Sequence, residues 1–213
     1  MPDPPDVPAA LAHVYWLGGG SGAAKSTVAR RLAAAHDLTL YSTDDVMGDH
    51  GRRYRPEDCP RLEAFKRMTM DERWVERSPE VMLETFHWFA GEGFGLIVED
   101  LLALPRDRRV IVEGFRPMPA LVAPLILSRR QAVWLLPTPA FRRRAFEARG
   151  TLWDIPNKTS DPEKALDNLL VRDALFTEQL RREAREQGSA TITVDGDRSE
   201  DDLAIAVAAH FAL

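Results

Sequence analysis

Leu17-Gly18-Gly19-Gly20-Ser21-Gly22-Ala23-Ala24-Lys25-Ser26-Thr27 joins two stretches of different character. Before it, Val14-Tyr15-Trp16-Leu17 is β-branched, aromatic and apolar, which predicts a short buried strand; after it, Val28 to Ala35 predicts a helix. A glycine-rich turn between a strand and a helix aims the backbone N–H groups of the loop and of the first helical turn at one point. The helix dipole adds partial positive charge at that point. Lys25 then reaches the outer phosphates of a polyphosphate, and the Ser26 hydroxyl is placed to hold Mg²⁺.

From Gly19 onward the stretch resembles the P-loop (Walker A), G-x-x-x-x-G-K-[ST], so Gly19, Gly20, Ser21, Gly22, Ala23, Ala24, Lys25, Ser26 and Thr27 form the expected nucleotide-binding segment. Ala24 stands where the pattern has its second glycine. An added Cβ is tolerable there if the residue keeps a negative φ and its N–H faces the phosphate, with less room beside the β-phosphate. A glycine-rich turn with a surface lysine is the plain alternative, and it leaves Lys25-Ser26-Thr27 unexplained.

With 213 residues, 45% of them hydrophobic, the chain can build one sizeable core with a small appended lid. A net charge of −5 gives no sign of a nucleic-acid or anionic-membrane partner. Cys59 is the single cysteine, so no intrachain disulfide forms, which fits a reducing, cytoplasmic compartment. Residues 1–12 are rich in Pro and Asp, lack the charge and apolar run of a signal peptide, and read as a disordered leader before one domain over 13–213. No stretch is apolar for long enough to span a bilayer.

Leu38 to Tyr41 predicts a second strand running into Asp44 and Asp45, on the sheet edge that also carries the glycine-rich loop. There either acid can take a proton from an attacking hydroxyl or hold Mg²⁺ through water, while an N-cap role needs only one of them. Residues 46–108 form a helical insertion with a basic cluster, Arg52, Arg53 and Arg55, and an apolar stripe of Met82, Phe86 and Phe89 that reads as core. Gly91 to Gly95 follows no strand and reads as a helix break. Arg109 to Gly114 predicts a third strand that delivers Glu113 to the ligand edge, to orient a magnesium-bound water or an acceptor hydroxyl. Arg116 faces either the cleft or solvent.

Ala132 to Leu136 predicts a fourth strand, followed by an arginine-rich lid over 138–160 that carries Arg142, Arg143, Arg144 and Arg149. Neighbouring residues fan by about 100° around a helix, so only one or two can meet a common ligand, and Arg149 at the helix exit is best placed. Asn157-Lys158-Thr159-Ser160 lacks the aspartate that reads guanine, which speaks against a GTPase. Asp161 to Gln187 predicts a long amphipathic helix whose buried stripe of Ala165, Leu169, Phe176 and Leu180 includes Arg172. A cation on an apolar face calls for an anion, either in the cleft or in a structural ion pair. Thr191 to Val194 predicts the fifth strand, and Ser199 with Asp202 a capping box for the last helix.

Five strands, a P-loop after the first, acids after the second, an arginine-rich lid after the fourth and a Val-Asp-Gly turn after the fifth resemble the P-loop small-molecule kinases over roughly residues 13 to 211. Shikimate and gluconate kinases, chloramphenicol-type phosphotransferases and nucleoside monophosphate kinases share that plan. The resemblance implies an α/β fold of three αβα layers with a parallel sheet ordered 2-3-1-4-5, ATP and Mg²⁺ as cofactors, and a small-molecule acceptor bound by the 46–108 insertion. It implies that Lys25 and the loop amides hold phosphates, Ser26 and Asp44 serve the metal, Asp44 takes the acceptor's proton, and Arg149 with Arg172 clamps the transferred group. Asp45, Glu113 and Arg116 fall on the acceptor side. The acids and aromatics of the insertion favour an uncharged or cationic hydroxyl compound over a nucleoside monophosphate. A monophosphate kinase and an NTP-hydrolysing regulator are the rival readings.

Overall fold

The computed structural model describes residues 6–213. Side chains alternate across each short strand, and in the three central strands both sets are mainly apolar and buried, so the middle of the sheet is covered on its two faces. The strands are β1 (Val14–Gly19), β2 (Thr39–Ser42), β3 (Val110–Glu113), β4 (Ala132–Pro137) and β5 (Ala190–Val194), each within a residue or two of its expected place. All pairings are parallel and the order is β2-β3-β1-β4-β5, as the resemblance implied.

One face, with Val14, Trp16, Val112, Trp134 and Leu136, is covered by α7 (Phe94–Ala103), α8 (Pro119–Val122) and α10 (Pro162–Gln187). The other, with Leu17, Ile111, Val133 and Leu135, meets α2 (Lys25–His36) and α11 (Glu200–Phe211). Gly18 lets Trp134 lie across β1: a Cβ there would stand 2.2 Å from the indole nitrogen, which donates to the Pro117 carbonyl at 2.8 Å. The loops that follow the strands' C-terminal ends therefore share one edge, and the glycine-rich loop sits at its centre.

The insertion holds α3 (Met47–Arg53), α4 (Pro60–Arg67), α5 (Met70–Trp74) and α6 (Pro79–Thr85) before α7. A capping box of Thr69 and Glu72 starts α5, and Ser78 caps α6 with Pro79 in its first turn. Met82 and Phe89 are buried and Phe86 packs beside them, so that stripe is core. The expected break at Gly91 to Gly95 is a turn with Gly91 and Gly93 at positive φ, just ahead of α7. The arginine-rich helix is α9 (Pro139–Arg149), and α10 is capped by Asp161 and ended by Gly188 in a left-handed conformation.

The expected disordered leader needs correcting in part. Residues 1–5 lie outside the described residues, but α1 (Val7–Ala10) is a helix capped by the Asp6 carboxylate, and it delivers Leu11 to the main core with no exposure. Proline at the start of a short helix costs nothing, and one buried leucine outweighs a polar composition. Leu11→Ala is therefore expected to lower unfolding free energy by about 2 to 5 kcal/mol in urea titration; a loss below about 0.5 kcal/mol would show α1 to be detached from the fold.

Candidate active site

The loop between β1 and α2 is held from below by backbone. The Gly20 amide donates to the Leu135 carbonyl at 3.1 Å, and a Cβ on Gly20 would come within 2.8 Å of the Thr177 hydroxyl and 2.9 Å of Pro137. Among the described residues, the amides of Gly22 to Thr27 donate to no other backbone group, leaving a cluster of free donors at a helix N-terminus. Lys25 is 8% exposed and turns its Nζ back onto the Gly20 carbonyl at 2.8 Å. Burial pushes its ammonium below the usual lysine range, with Arg149 and Arg142 adding to the effect and Glu113 and Asp44 opposing it.

Ala24 does not keep the negative φ expected of it. It lies at φ 60°, ψ 15°, in the left-handed region, because its carbonyl must accept from Val28 to start α2 while the loop turns sharply. An alanine in that conformation carries about 1 to 2 kcal/mol of steric strain that glycine would not.

Two of the three predicted acids meet at this loop. The Ser26 hydroxyl donates to Glu113 Oε2 at 3.2 Å, linking the end of β3 to the start of α2. Glu113 is 2% exposed, and burial raises its carboxyl above the usual range, with Asp44 adding while Lys25, Ser42 and Ser26 oppose. Asp44 opens to solvent across a cavity, yet the protein walls around it strip enough water to hold its carboxyl up as well; Asp45 adds to this and Lys25 and Arg116 oppose. Asp45 itself points away, exposed, with only its amide engaged by the Ser42 hydroxyl.

The arginines divide sharply. Arg149, the last residue of α9 before Gly150, faces the cavity as expected. Arg142 is 1% exposed and binds the Ser21 carbonyl at 3.2 Å and the Thr177 hydroxyl, while Arg143 pairs with Glu147 and Arg144 binds the Asp195 carbonyl. Arg172 lines the cavity but is already paired, its Nη2 lying 2.6 Å from Asp173, amid the rings of Trp74, Phe86 and Phe89. Its Nη1 is buried without a partner. Arg116 is neither in the cleft nor at the surface: it is 2% exposed, bound to His50 Nδ1 and the Gly93 carbonyl, each at 2.9 Å, and stacked 4.3 Å over Trp88. Burial brings its guanidinium down to about 10.

A cavity of about 420 Å³ lies in front of the loop, bounded by Ser21 to Ser26, Asp44 and Arg149 on its polar side. Phe115, Phe146, Leu152, Leu166, Leu169 and Leu170 build the far wall. None of the lining residues belongs to 46–108, so the insertion's expected contact with an acceptor is absent from this cavity; it braces α10 from behind, through the rings around Arg172. The wall residues escaped sequence reading, since periodicity marks Leu169 as core and nothing marks Leu166, Leu152 or Phe146 at all.

The donor set fits a magnesium nucleotide. The Ser26 hydroxyl already pointing at a buried carboxylate is the matching feature.

No protein-family model matches the sequence, and no curated protein is similar to it. Among solved structures, an uncharacterized protein from Eubacterium ventriosum aligns at 14% identity and TM-score 0.49 over 93% of this chain and 97% of its own. A gluconokinase from Sinorhizobium meliloti 1021 aligns at 16% identity and TM-score 0.48 over 95% of this chain and 93% of its own. The strand order seen directly, with the loop at its centre, assigns the P-loop α/β fold. No helix among the described residues is long and apolar enough to cross a membrane.

Relieving the strain at Ala24 exceeds the extra unfolded-state entropy that glycine brings, so Ala24→Gly is expected to raise stability by about 0.5 to 1 kcal/mol in denaturant titration. A second expectation concerns pH. Glu113 has a raised pKa in the folded protein, so its contribution favours folding below the unfolded value of 4.5 and is lost as pH rises through the folded value. Glu113→Gln therefore stabilises the empty protein at pH 7, and the gain disappears toward pH 4, which urea midpoints at both values would reveal.

Proposed function

We propose that the chain is an ATP-dependent phosphotransferase that moves a phosphoryl group to a hydroxyl of a small molecule. The supporting observation is that the amide cluster, Lys25, Asp44 and Arg149 all face one cavity, with a buried serine–glutamate contact beside it. In this reading the amides of Ser21 to Thr27 and the Lys25 ammonium hold the β- and γ-phosphates. Lys25 gives up the Gly20 carbonyl for them, and its partial desolvation strengthens the contact. Ser26 and Asp44 would hold Mg²⁺, with Glu113 beside them through its contact with Ser26, and the ion would supply neutralisation of phosphate charge.

Asp44 accepts the acceptor's proton. Its access to the cavity leaves its carboxylate within reach of an acceptor hydroxyl. Arg149 sits at the end of α9 next to a left-handed glycine and faces the cavity, where it meets the charge that builds on the phosphoryl group. The monophosphate-kinase alternative is weakened by the basic cluster's position: none of Arg52, Arg53 and Arg55 lines the cavity, and each lies beside a carboxylate, Asp49, Asp100 or Asp58.

Lys25→Met should keep the fold and cost about 2.7 to 4 kcal/mol of transition-state stabilisation in labelled-ATP transfer assays. Asp44→Asn should keep nucleotide binding while transfer falls about 10² to 10⁴-fold. Full ATP turnover without any acceptor would favour the hydrolytic regulator instead, and transfer surviving in Lys25→Met would reject the P-loop role.

A further inference from the structure

The geometry points to an acceptor that is an uncharged alcohol carried on a compact apolar body, and not a polyhydroxy acid, a carboxylate or a phosphate ester. This rests on the phosphotransferase reading above and names the substrate class for its cavity.

Position identifies which ligand the far wall serves. The cavity runs from the glycine-rich loop to Asp44 after β2 and Phe115 after β3, and across β1 to Phe146, Arg149 and the lid after β4 and to one side of α10; its lining does not include the turn after β5, Asp195 to Arg198. Asp44, which takes the acceptor's proton in the reading above, opens into this space, so the acceptor enters it and meets the wall of Phe115, Phe146, Leu152, Leu166, Leu169 and Leu170.

Charge excludes anions. The cations facing the cavity are Lys25, Arg149 and Arg172, against Asp44, Asp154 and Asp173. Lys25 belongs to the phosphates of the loop, and Arg149 lies where the transferred group passes. Arg172 gives Nε and Nη2 to Asp173 at 3.0 and 2.6 Å, and its remaining Nη1 is buried away from the cavity. Arg116, the nearest other cation behind Asp44, is spent on His50 and Gly93. A carboxylate or phosphate on the acceptor would meet Asp44 and Asp154 with no cation of its own, which costs more than any gain from the apolar wall.

Size sets the rest. About 420 Å³ is near the lower end of small-molecule sites, and the transferred phosphoryl group shares it, so the body is small. A single hydroxyl directed at Asp44 satisfies the site: Asp44 takes the alcohol's proton, the alcohol oxygen bonds to the γ-phosphorus, and the β–γ bridging P–O bond breaks, leaving ADP with its electron pair and charge.

The test compares benzyl alcohol, 2-phenylethanol and cyclohexylmethanol with gluconate, shikimate and CMP. Each is titrated by calorimetry into full-length protein saturated with magnesium and a non-hydrolysable ATP analogue, and assayed with ATP by phosphorus NMR. The expected result is that the apolar alcohols bind at least about tenfold tighter than the polar and anionic set. Leu170→Asn should weaken them about tenfold or more without changing affinity for the analogue, and Leu170→Met should stay within about threefold. Tighter binding of gluconate, shikimate or CMP, or alcohol binding unaffected by Leu170→Asn in a folded variant, overturns the inference; if one of those anions is phosphorylated, the phosphotransferase reading survives without it. Alcohols that bind in this way yet receive no phosphoryl group uphold the ligand class and reject the transfer reading.

Discussion

The guanidinium of Arg142 ties together the three parts that make the site. Its Nε donates to the Ser21 carbonyl in the glycine-rich loop, its Nη2 donates to the Thr177 hydroxyl on α10, and its backbone belongs to the first turn of the lid helix α9. Thr177 passes the link on by donating to the Asp173 carbonyl at 2.9 Å, so its hydroxyl is used in both senses. Burying a cation on neutral acceptors is expensive, and burial does pull the Arg142 pKa down, with Nη1 left unpartnered. The outlay is tolerable only because it fixes position: the loop, the lid and the cavity wall cannot shift separately while this contact stands. The close fit of Gly22 to the Arg142 side chain, 3.3 Å for an added Cβ, shows how little slack the joint has.

A second polar joint does the same for the insertion. His50 has no exposed surface, and since a guanidinium can only donate, its Nδ1 must accept from Arg116. That leaves Nε2 to carry the proton and donate to Asp100 at 2.7 Å, which fixes a single tautomer. Burial by itself would raise Asp100, but hydrogen bonds from His50, Tyr41 and Arg53 outweigh it and hold the carboxyl below its usual range. One carboxylate thus gathers β2, α3 and, through His50 and Arg116, the segment after β3. The insertion is rigidly attached next to Asp44 without lining the cavity that Asp44 faces.

The fold was legible because its signals are local. Apolar runs of four to six residues, caps at Ser78, Asp161 and Ser199, and the glycine at 188 each report on a few neighbours, and they all agree. Lys25, Ser26, Asp44 and Arg149 were legible for a related reason: each is tied to the end of a strand or helix, so finding the element finds the residue. Arg116 was not, because its fate depends on His50, 66 positions away, and no local pattern pairs them. Ala24 was misjudged in φ because the sequence reports which residue stands there but not which way the chain must turn. The apolar wall was illegible because it is assembled from the segment after β3, the lid and one side of α10, none of which looks unlike ordinary core on its own.

The charges of the empty site are held against their preferences, and all in the same direction. Burial drives Lys25 toward its neutral form and drives Asp44 and Glu113 toward theirs, and their mutual attraction offsets this only in part. Groups in an ordinary structural ion pair move the opposite way, toward their charged forms. Arg55, held by Asp58 at the surface, does so. A cation and two carboxylates kept partly dry beside free amides are therefore incomplete as a structural device. Their arrangement is complementary to a ligand that brings both signs of charge, negative toward Lys25 and the amides, positive toward Ser26, Glu113 and Asp44. The magnesium-bound polyphosphate of the proposed function has that charge pattern, and in that reading the stability withheld in the empty protein would appear as affinity for it.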